Sequence, residues 1–305
     1  MNLETVTSGV MSISTINKMS CVVLNNGIEM PLLGLGTFLL QSPDITTITE
    51  AALRQGYRLI DTAAVYRNEH SIGQVLKKTG AFNVHRDDVF ITSKLGPTHQ
   101  GAEKARMSAL SSLETLELNY LDLYLIHWPG SAGMKPDNPM NAELRKESWL
   151  QLEKLYKEGK FKAIGISNYT VQHIKELLEY CSVVPAVLQI EAHPYLIQKS
   201  LREYCEKKGI HVQAYSSIGS RSGCKELLSD PTIMKIAEYH NKTCAQILLR
   251  WAIEHGMSVI PKTSNLGRLK ENMDIFDFSL TSEQLQKLDN LDKHKHFCWN
   301  PEDIK

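Results

Sequence analysis

From residue 32 onward the chain alternates short β-type runs with longer amphipathic stretches, and this alternation restricts its fold more than any other feature. Eight runs have strand character, at 32–37, 57–61, 89–94, 121–127, 163–167, 187–191, 211–215 and 258–261. Between them, as over 103–116 and 144–157, apolar residues recur three or four apart with charges between, the period of a helix with one buried face. Gly56, Gly80, Gly159 and Gly209 stand just before the next strand, where a helix is expected to stop. Strict alternation implies parallel strands joined by right-handed crossovers. Eight such units close into a (β/α)8 TIM barrel of roughly 250 residues. An open doubly wound sheet would need a glycine-rich first turn, and Gly34-Leu35-Gly36-Thr37 lacks the third glycine of that fingerprint.

Ahead of the repeat, Asn26-Gly27 between two apolar runs predicts a β-hairpin over 22–30 that caps the barrel bottom. Residues 1–20, rich in Ser and Thr with no apolar signal segment, are expected to be a disordered tail, leaving 21–305 as one barrel domain. With 34 basic and 34 acidic residues there is no overall pull toward nucleic acid or an anionic membrane. No run reaches the roughly 18 apolar residues of a membrane span. Six cysteines lie far apart with no C-x-x-C pair, which argues against a metal site or disulfide framework and for a reducing compartment, the cytosol.

The active face of such a barrel is built from the C-terminal ends of its strands, so reactive residues there converge although distant in sequence. The second strand ends at Asp61, with Tyr66 five residues on. The third ends at Lys94 and the fourth at His127, beside Trp128. A phenol is a poor acid near neutrality, so Tyr66 needs a neighbouring cation if it is to give up a proton. Lys94 supplies it: the expectation is that Lys94 lowers the Tyr66 pKa, Asp61 holds the ammonium, and a neutral His127 orients a carbonyl. Without a metal site or a nucleophile with a paired base, the electrons must come from a cofactor, and hydride transfer fits best.

Taken singly, Asp61 is a turn residue, Lys94 an ion-pair partner and His127 a structural histidine; three consecutive strand exits make them a constellation. A Schiff-base enzyme with Lys94 as nucleophile is the rival chemistry. A non-catalytic sensor, regulatory subunit or structural protein on the same barrel is the rival role. The later exits are polar as well: Ser167 and Asn168, Gln189 and Glu191, Tyr215 and Ser216. Amides and hydroxyls suit a carboxamide ring, with an aromatic face to stack on it. Lys262, Arg268 and Lys270 make the last loop and helix start basic, a place for phosphate.

Six motifs, in order, carry a resemblance to the aldo-keto reductase superfamily over residues 22 to about 300. They are Gly34-Leu35-Gly36-Thr37; Asp61-Thr62-Ala63 with Tyr66, Asn68 and Glu69; Ser93-Lys94-Leu95; Leu125-Ile126-His127-Trp128-Pro129; Gly165-Ile166-Ser167-Asn168-Tyr169; and Ile260-Pro261-Lys262 with Arg268, Glu271 and Asn272. The resemblance implies a monomeric, NADPH-dependent oxidoreductase that reduces small-molecule aldehydes and ketones. It implies a catalytic tetrad of Asp61, Tyr66, Lys94 and His127, with Tyr66 as acid. Gly36, Thr37 and Asp61 would border the cofactor, Ser167, Asn168 and Gln189 would hold its carboxamide, and Tyr215 would stack on the nicotinamide. Ser216, Ile218 and Ser220 would line the pyrophosphate, Lys262, Thr263 and Arg268 the 2′-phosphate, and Glu271 and Asn272 the adenine.

The chain departs from the superfamily in places. Phe38 stands where many animal members have Trp, and Gly96 where they often have a bulky aromatic, which should open the pocket. Ser217 replaces a common proline, which should loosen its loop. Phe38, Tyr66, His127, Trp128 and the loop 129–141 are expected to border the substrate, and Trp299 in the short tail either reaches that pocket or packs on the barrel.

Overall fold

The alternation is realised in a computed structural model, which describes residues 21–220 and 222–305; the expected tail, 1–20, lies outside the described residues. An antiparallel hairpin, β1 (Cys21–Val23) and β2 (Glu29–Pro31), precedes eight parallel strands. These are β3 (Leu35–Gly36), β4 (Leu59–Asp61), β5 (Phe90–Leu95), β6 (Leu123–Ile126), β7 (Ile164–Ser167), β8 (Val187–Glu191), β9 (His211–Tyr215) and β10 (Ser258–Val259). Each pairs with the next in sequence. Leu33 bridges Val259 in parallel, and the Gly36 amide donates to the Pro261 carbonyl at 3.1 Å, so first and last strands meet and the barrel closes. A Cβ on Gly36 would stand 2.5 Å from the Ile260 carbonyl oxygen; only glycine permits this seam.

Eleven helices are described: α1 (Asp44–Gln55), α2 (Glu69–Leu76), α3 (Ala102–Leu116), α4 (Met140–Lys157), α5 (Val171–Tyr180), α6 (Lys199–Lys207), α7 (Cys224–Leu228), α8 (Pro231–His240), α9 (Cys244–Glu254), α10 (Leu266–Met273) and α11 (Ser282–Asp289). Gly56, Gly159 and Gly209 have the positive φ expected of helix stops. Gly80 does not: α2 ends earlier, and Gly80 sits inside a 3-10 turn, Thr79–Phe82, that Asn83 closes at φ 53°. The loop expected over 129–141 ends sooner, because Pro139 caps α4 and helix begins at Met140.

The pleat explains where polar residues go. Along each strand alternate side chains face the lumen, and at the lower end these are apolar: Leu59, Phe90, Leu123, Ala163 and Val187. Two or four residues further up the same faces carry Asp61, Lys94, His127, Ser167 and Gln189. The opposite faces, such as Ile60, Ile91, Tyr124 and Ile166, pack against the helices in the main core. The hairpin supplies Leu24 and Met30 to the lower cluster, with Met30 wholly buried. Asn25 Nδ2 donates to the Pro185 carbonyl at 3.0 Å and Asn26 Nδ2 to that of Lys162 at 2.9 Å, tying the cap to the lower ends of β8 and β7. Gly36→Ala should lower unfolding free energy in urea by about 1–3 kcal/mol through overpacking at the seam; an unchanged midpoint would show that the seam tolerates a methyl group.

Candidate active site

Asp61 ends β4 almost fully buried, and its carboxylate is shared: Oδ1 accepts from Lys94 Nζ at 2.6 Å and Oδ2 from Gln189 Nε2 at 2.7 Å. Lys94, with no exposure, also donates to the Thr62 carbonyl at 2.8 Å. Burial works against both charges, raising the Asp61 pKa and lowering that of Lys94, and in each case the partner's charge opposes the shift. Buried and doubly engaged, the Lys94 amine is not placed to attack a carbonyl, which counts against Schiff-base chemistry.

Tyr66 closes a 3-10 turn, Ala64–Tyr66, above this pair. Its ring lies 5.0 Å from Lys94 Nζ, and its Oη is 3.5 Å from His127 Nε2. Asn68 fixes the turn: its Nδ2 donates to the Thr37 and Leu40 carbonyls, both at 3.0 Å, and its Oδ1 accepts from Thr62 Oγ1 at 2.6 Å. The Tyr66 pKa runs opposite to expectation. Burial, then the Asp61 carboxylate, then nearby Cys298 raise it well above the usual phenol value. Lys94 does not reverse this, because its charge is already matched by Asp61. His127 is pushed down to about 3 by burial and then by Lys94, so the ring is neutral.

The other expected residues fall into four groups. Near the tetrad, Asn168 at φ 63° donates to the His127 carbonyl at 2.9 Å and to Ser167 Oγ at 3.0 Å, and accepts from Tyr215 Oη at 2.7 Å. Gln189 also donates to Gln213 Oε1 at 2.7 Å. Thr37 sends its amide and hydroxyl to the Asp61 carbonyl. Along the loop after β9, Ser216 Oγ lies 3.4 Å from Cys298 Sγ, Ile218 is half-buried against the core, and Ser220 Oγ bonds Ser222 Oγ at 2.9 Å. Ser217, in the place of that proline, is buried and its hydroxyl donates to the Ala214 carbonyl at 3.3 Å.

At the far rim, Lys262 and Arg268 are exposed, and Thr263 and Asn272 buried. Asn265 caps α10 by accepting from the Gly267 and Arg268 amides, so these two amides of the helix start already have an anion-like partner. Glu271 accepts from Thr243 Oγ1 at 2.8 Å. On the substrate side Phe38, 53 % exposed, leans on Tyr66 with centroids 5.1 Å apart, and Trp128 meets Trp299 edge-on at 6.3 Å. Gly96 opens less space than expected, since Val65 Cγ1 stands 2.8 Å from where its Cβ would be.

This constellation on a closed parallel barrel matches known proteins. The aldo/keto reductase family pattern fits residues 32–293. The chain belongs to the aldo/keto reductase family. Glyoxal reductase of Bacillus subtilis (strain 168) is 44% identical over 284 residues, covering 93% of this chain and 96% of that protein. Aldo-keto reductase family 1 member A1 of Cricetulus griseus is 40% identical, with 90% of each chain covered. An aldo-keto reductase from a Medee basin deep-sea metagenome superposes with a TM-score of 0.85 at 40% identity, covering 93% of this chain and 99% of that one. As an aldo/keto reductase the chain is an oxidoreductase of the carbonyl-reducing kind, and the family generally uses NAD(P)H. Among the described residues no helix is long and apolar enough to cross a membrane.

Two groups escaped the sequence reading. Asn68 stood in the right motif, but nothing local revealed that it braces the Tyr66 turn. Glu191 was noted only as a polar exit; its partners, His296, Phe297 and Cys298, lie over a hundred residues on, beyond any spacing rule.

Two outcomes are expected in solution. Lys94→Met strands the Asp61 carboxyl in the interior and should cost about 3–5 kcal/mol in urea unfolding; no loss would mean that the pair carries no stability. His127 has an ordinary pKa of 6.5 and a folded one of about 3. Its contribution to stability is therefore complete above pH 6.5 and drains away as pH falls toward 3, because only the unfolded chain takes the proton there. His127→Gln should flatten the stability–pH curve in that window by up to about 1.4 kcal/mol per pH unit.

Proposed function

We propose that this chain is an NADPH-dependent carbonyl reductase in which Tyr66 is the proton donor. The observation that carries the proposal is the Tyr66 hydroxyl, 3.5 Å from a neutral imidazole and over a buried Lys94–Asp61 pair. The donor set fits a phosphorylated dinucleotide: a polar row at the upper strand ends, hydroxyls after β9, and two exposed cations beside Thr263. Bound there, the dinucleotide supplies a hydride to the carbonyl carbon. Ser167, Asn168 and Gln189 are assigned to its carboxamide and the half-buried Tyr215 ring to its nicotinamide face. Gly36 and Thr37 would border it, Ser216, Ile218 and Ser220 would line its pyrophosphate, and Glu271 and Asn272 would hold its adenine. Lys262, Thr263 and Arg268 would grip the 2′-phosphate, which would make NADPH the preferred form.

The protein's own part is proton delivery. His127, neutral and with its proton on Nε2, orients the carbonyl oxygen against Tyr66 Oη. A raised pKa keeps Tyr66 protonated through the neutral range, so the donor is always loaded. As negative charge develops on the carbonyl oxygen, the Tyr66 O–H bond breaks and the proton forms the alcohol. Lys94, 5.0 Å from the ring, offsets only part of the charge on the phenolate left behind, and Asp61 keeps Lys94 in place. Phe38 and Trp128 take the rest of the substrate.

Tyr66→Phe should lower aldehyde-dependent NADPH oxidation by roughly 10²–10⁴-fold while NADPH binding holds; persistent turnover would remove Tyr66 from its role. Arg268→Ala should weaken NADPH by about ten-fold or more, as the loss of a charge-assisted hydrogen bond requires, and leave NADH nearly untouched. Equal losses for both would sink the phosphate assignment.

A further inference from the structure

The stretch 296–305 runs from the top of β8 to α4 and α5 as a strap held at two ends. At its near end Glu191, nearly fully buried at the top of β8, accepts from the Phe297 amide at 2.8 Å and the Cys298 amide at 3.2 Å. Burial opposes that carboxylate's charge, but hydrogen bonds from His193, His296 and Phe297 outweigh it and hold the pKa down at about 2. The far end is fixed elsewhere. Arg145, on α4 and 1% exposed, donates from Nη1 to the main-chain oxygen of Lys305 at 2.8 Å and turns its other nitrogens to both oxygens of Glu176. His173 Nδ1 accepts from the Thr170 amide at 3.1 Å, so its proton is on Nε2, which donates to the Ile304 carbonyl at 2.8 Å. Between the ends, the Ile304 amide closes a turn onto the buried Pro301, and Trp299 stands 80% exposed with its edge toward Trp128.

We propose that Arg145, Glu176 and His173 are positioning residues for substrate selection: by pinning the far end of the strap they fix Trp299 beside Trp128 as a wall for the aromatic remainder of a carbonyl substrate. A guanidinium out of water is expensive unless fully bonded, and this one is completed by a main-chain oxygen of the strap. An exposed tryptophan on a segment pinned at one end only would sample many positions, and ordering it at each binding event would cost affinity. Pinned at both ends, Trp299 is pre-set. Carbonyls too small to reach past Tyr66 and Trp128 do not feel it.

The inference rests on the carbonyl-reductase reading, and the test separates the two. Turnover of methylglyoxal by the unaltered protein reads the activity. The strap is read by comparing 4-nitrobenzaldehyde with methylglyoxal in Arg145→Met: KM for the aromatic aldehyde should rise by about ten-fold, the worth of one aromatic contact, with its kcat and both constants for methylglyoxal unchanged. Arg145→Lys should restore part of the loss. In a Trp299→Ala background Arg145→Met should add nothing further, since both act through one ring. Near-ultraviolet circular dichroism of the Trp128–Trp299 pair should change in Arg145→Met without any turnover. Should that variant fail to fold, His173→Phe cuts the Ile304 bond, leaves the Arg145–Glu176 pair intact and should give the same signature. Equal effects on both aldehydes, or full additivity with Trp299→Ala, would overturn the proposal.

Discussion

A carboxylate and an ammonium 2.6 Å apart, both out of water, set the terms for the upper half of this barrel. Neither charge is tolerable alone, so each must find more than its partner: Asp61 takes Gln189, and Lys94 takes the Thr62 carbonyl. Gln189 in turn is completed by Gln213, and Thr62 by Asn68, which holds the turn bearing Tyr66. The polar layer is thus a chain of obligations that begins with one ion pair and ends at the phenol. That connectivity specifies a geometry more than it adds stability.

The pair also decides how its neighbours titrate. Because Lys94 is neutralised by Asp61, its effect on Tyr66 is smaller than that of burial and of the carboxylate itself, and the phenol stays protonated. Burial and the same ammonium keep His127 neutral. A protonated phenol and a neutral imidazole stand side by side, each kept so by its depth and by the ion pair beneath them.

The barrel was legible in the sequence because period-2 and period-3.6 patterns are local, and each strand exit announced a polar residue at a countable position. Asp61, Lys94 and His127 meet because parallel strands in sequential order must bring their ends together. What escaped the sequence was set by contacts with no period. The sign of the Tyr66 shift depended on which charge Lys94 faces. The capping of α10 by Asn265 took up amides that looked available for phosphate. The Gly96 gap was filled by Val65, and α4 began early because of a proline that read as loop. The Glu191 clamp joined segments a hundred residues apart, where the sequence carries no trace of proximity.

The hairpin has an effect that reaches beyond stability. With Leu24 and Met30 filling the lower end and the two asparagines lashing it to β7 and β8, the barrel is a vessel with one opening. Whatever reaches the Asp61 layer arrives and departs by the same rim.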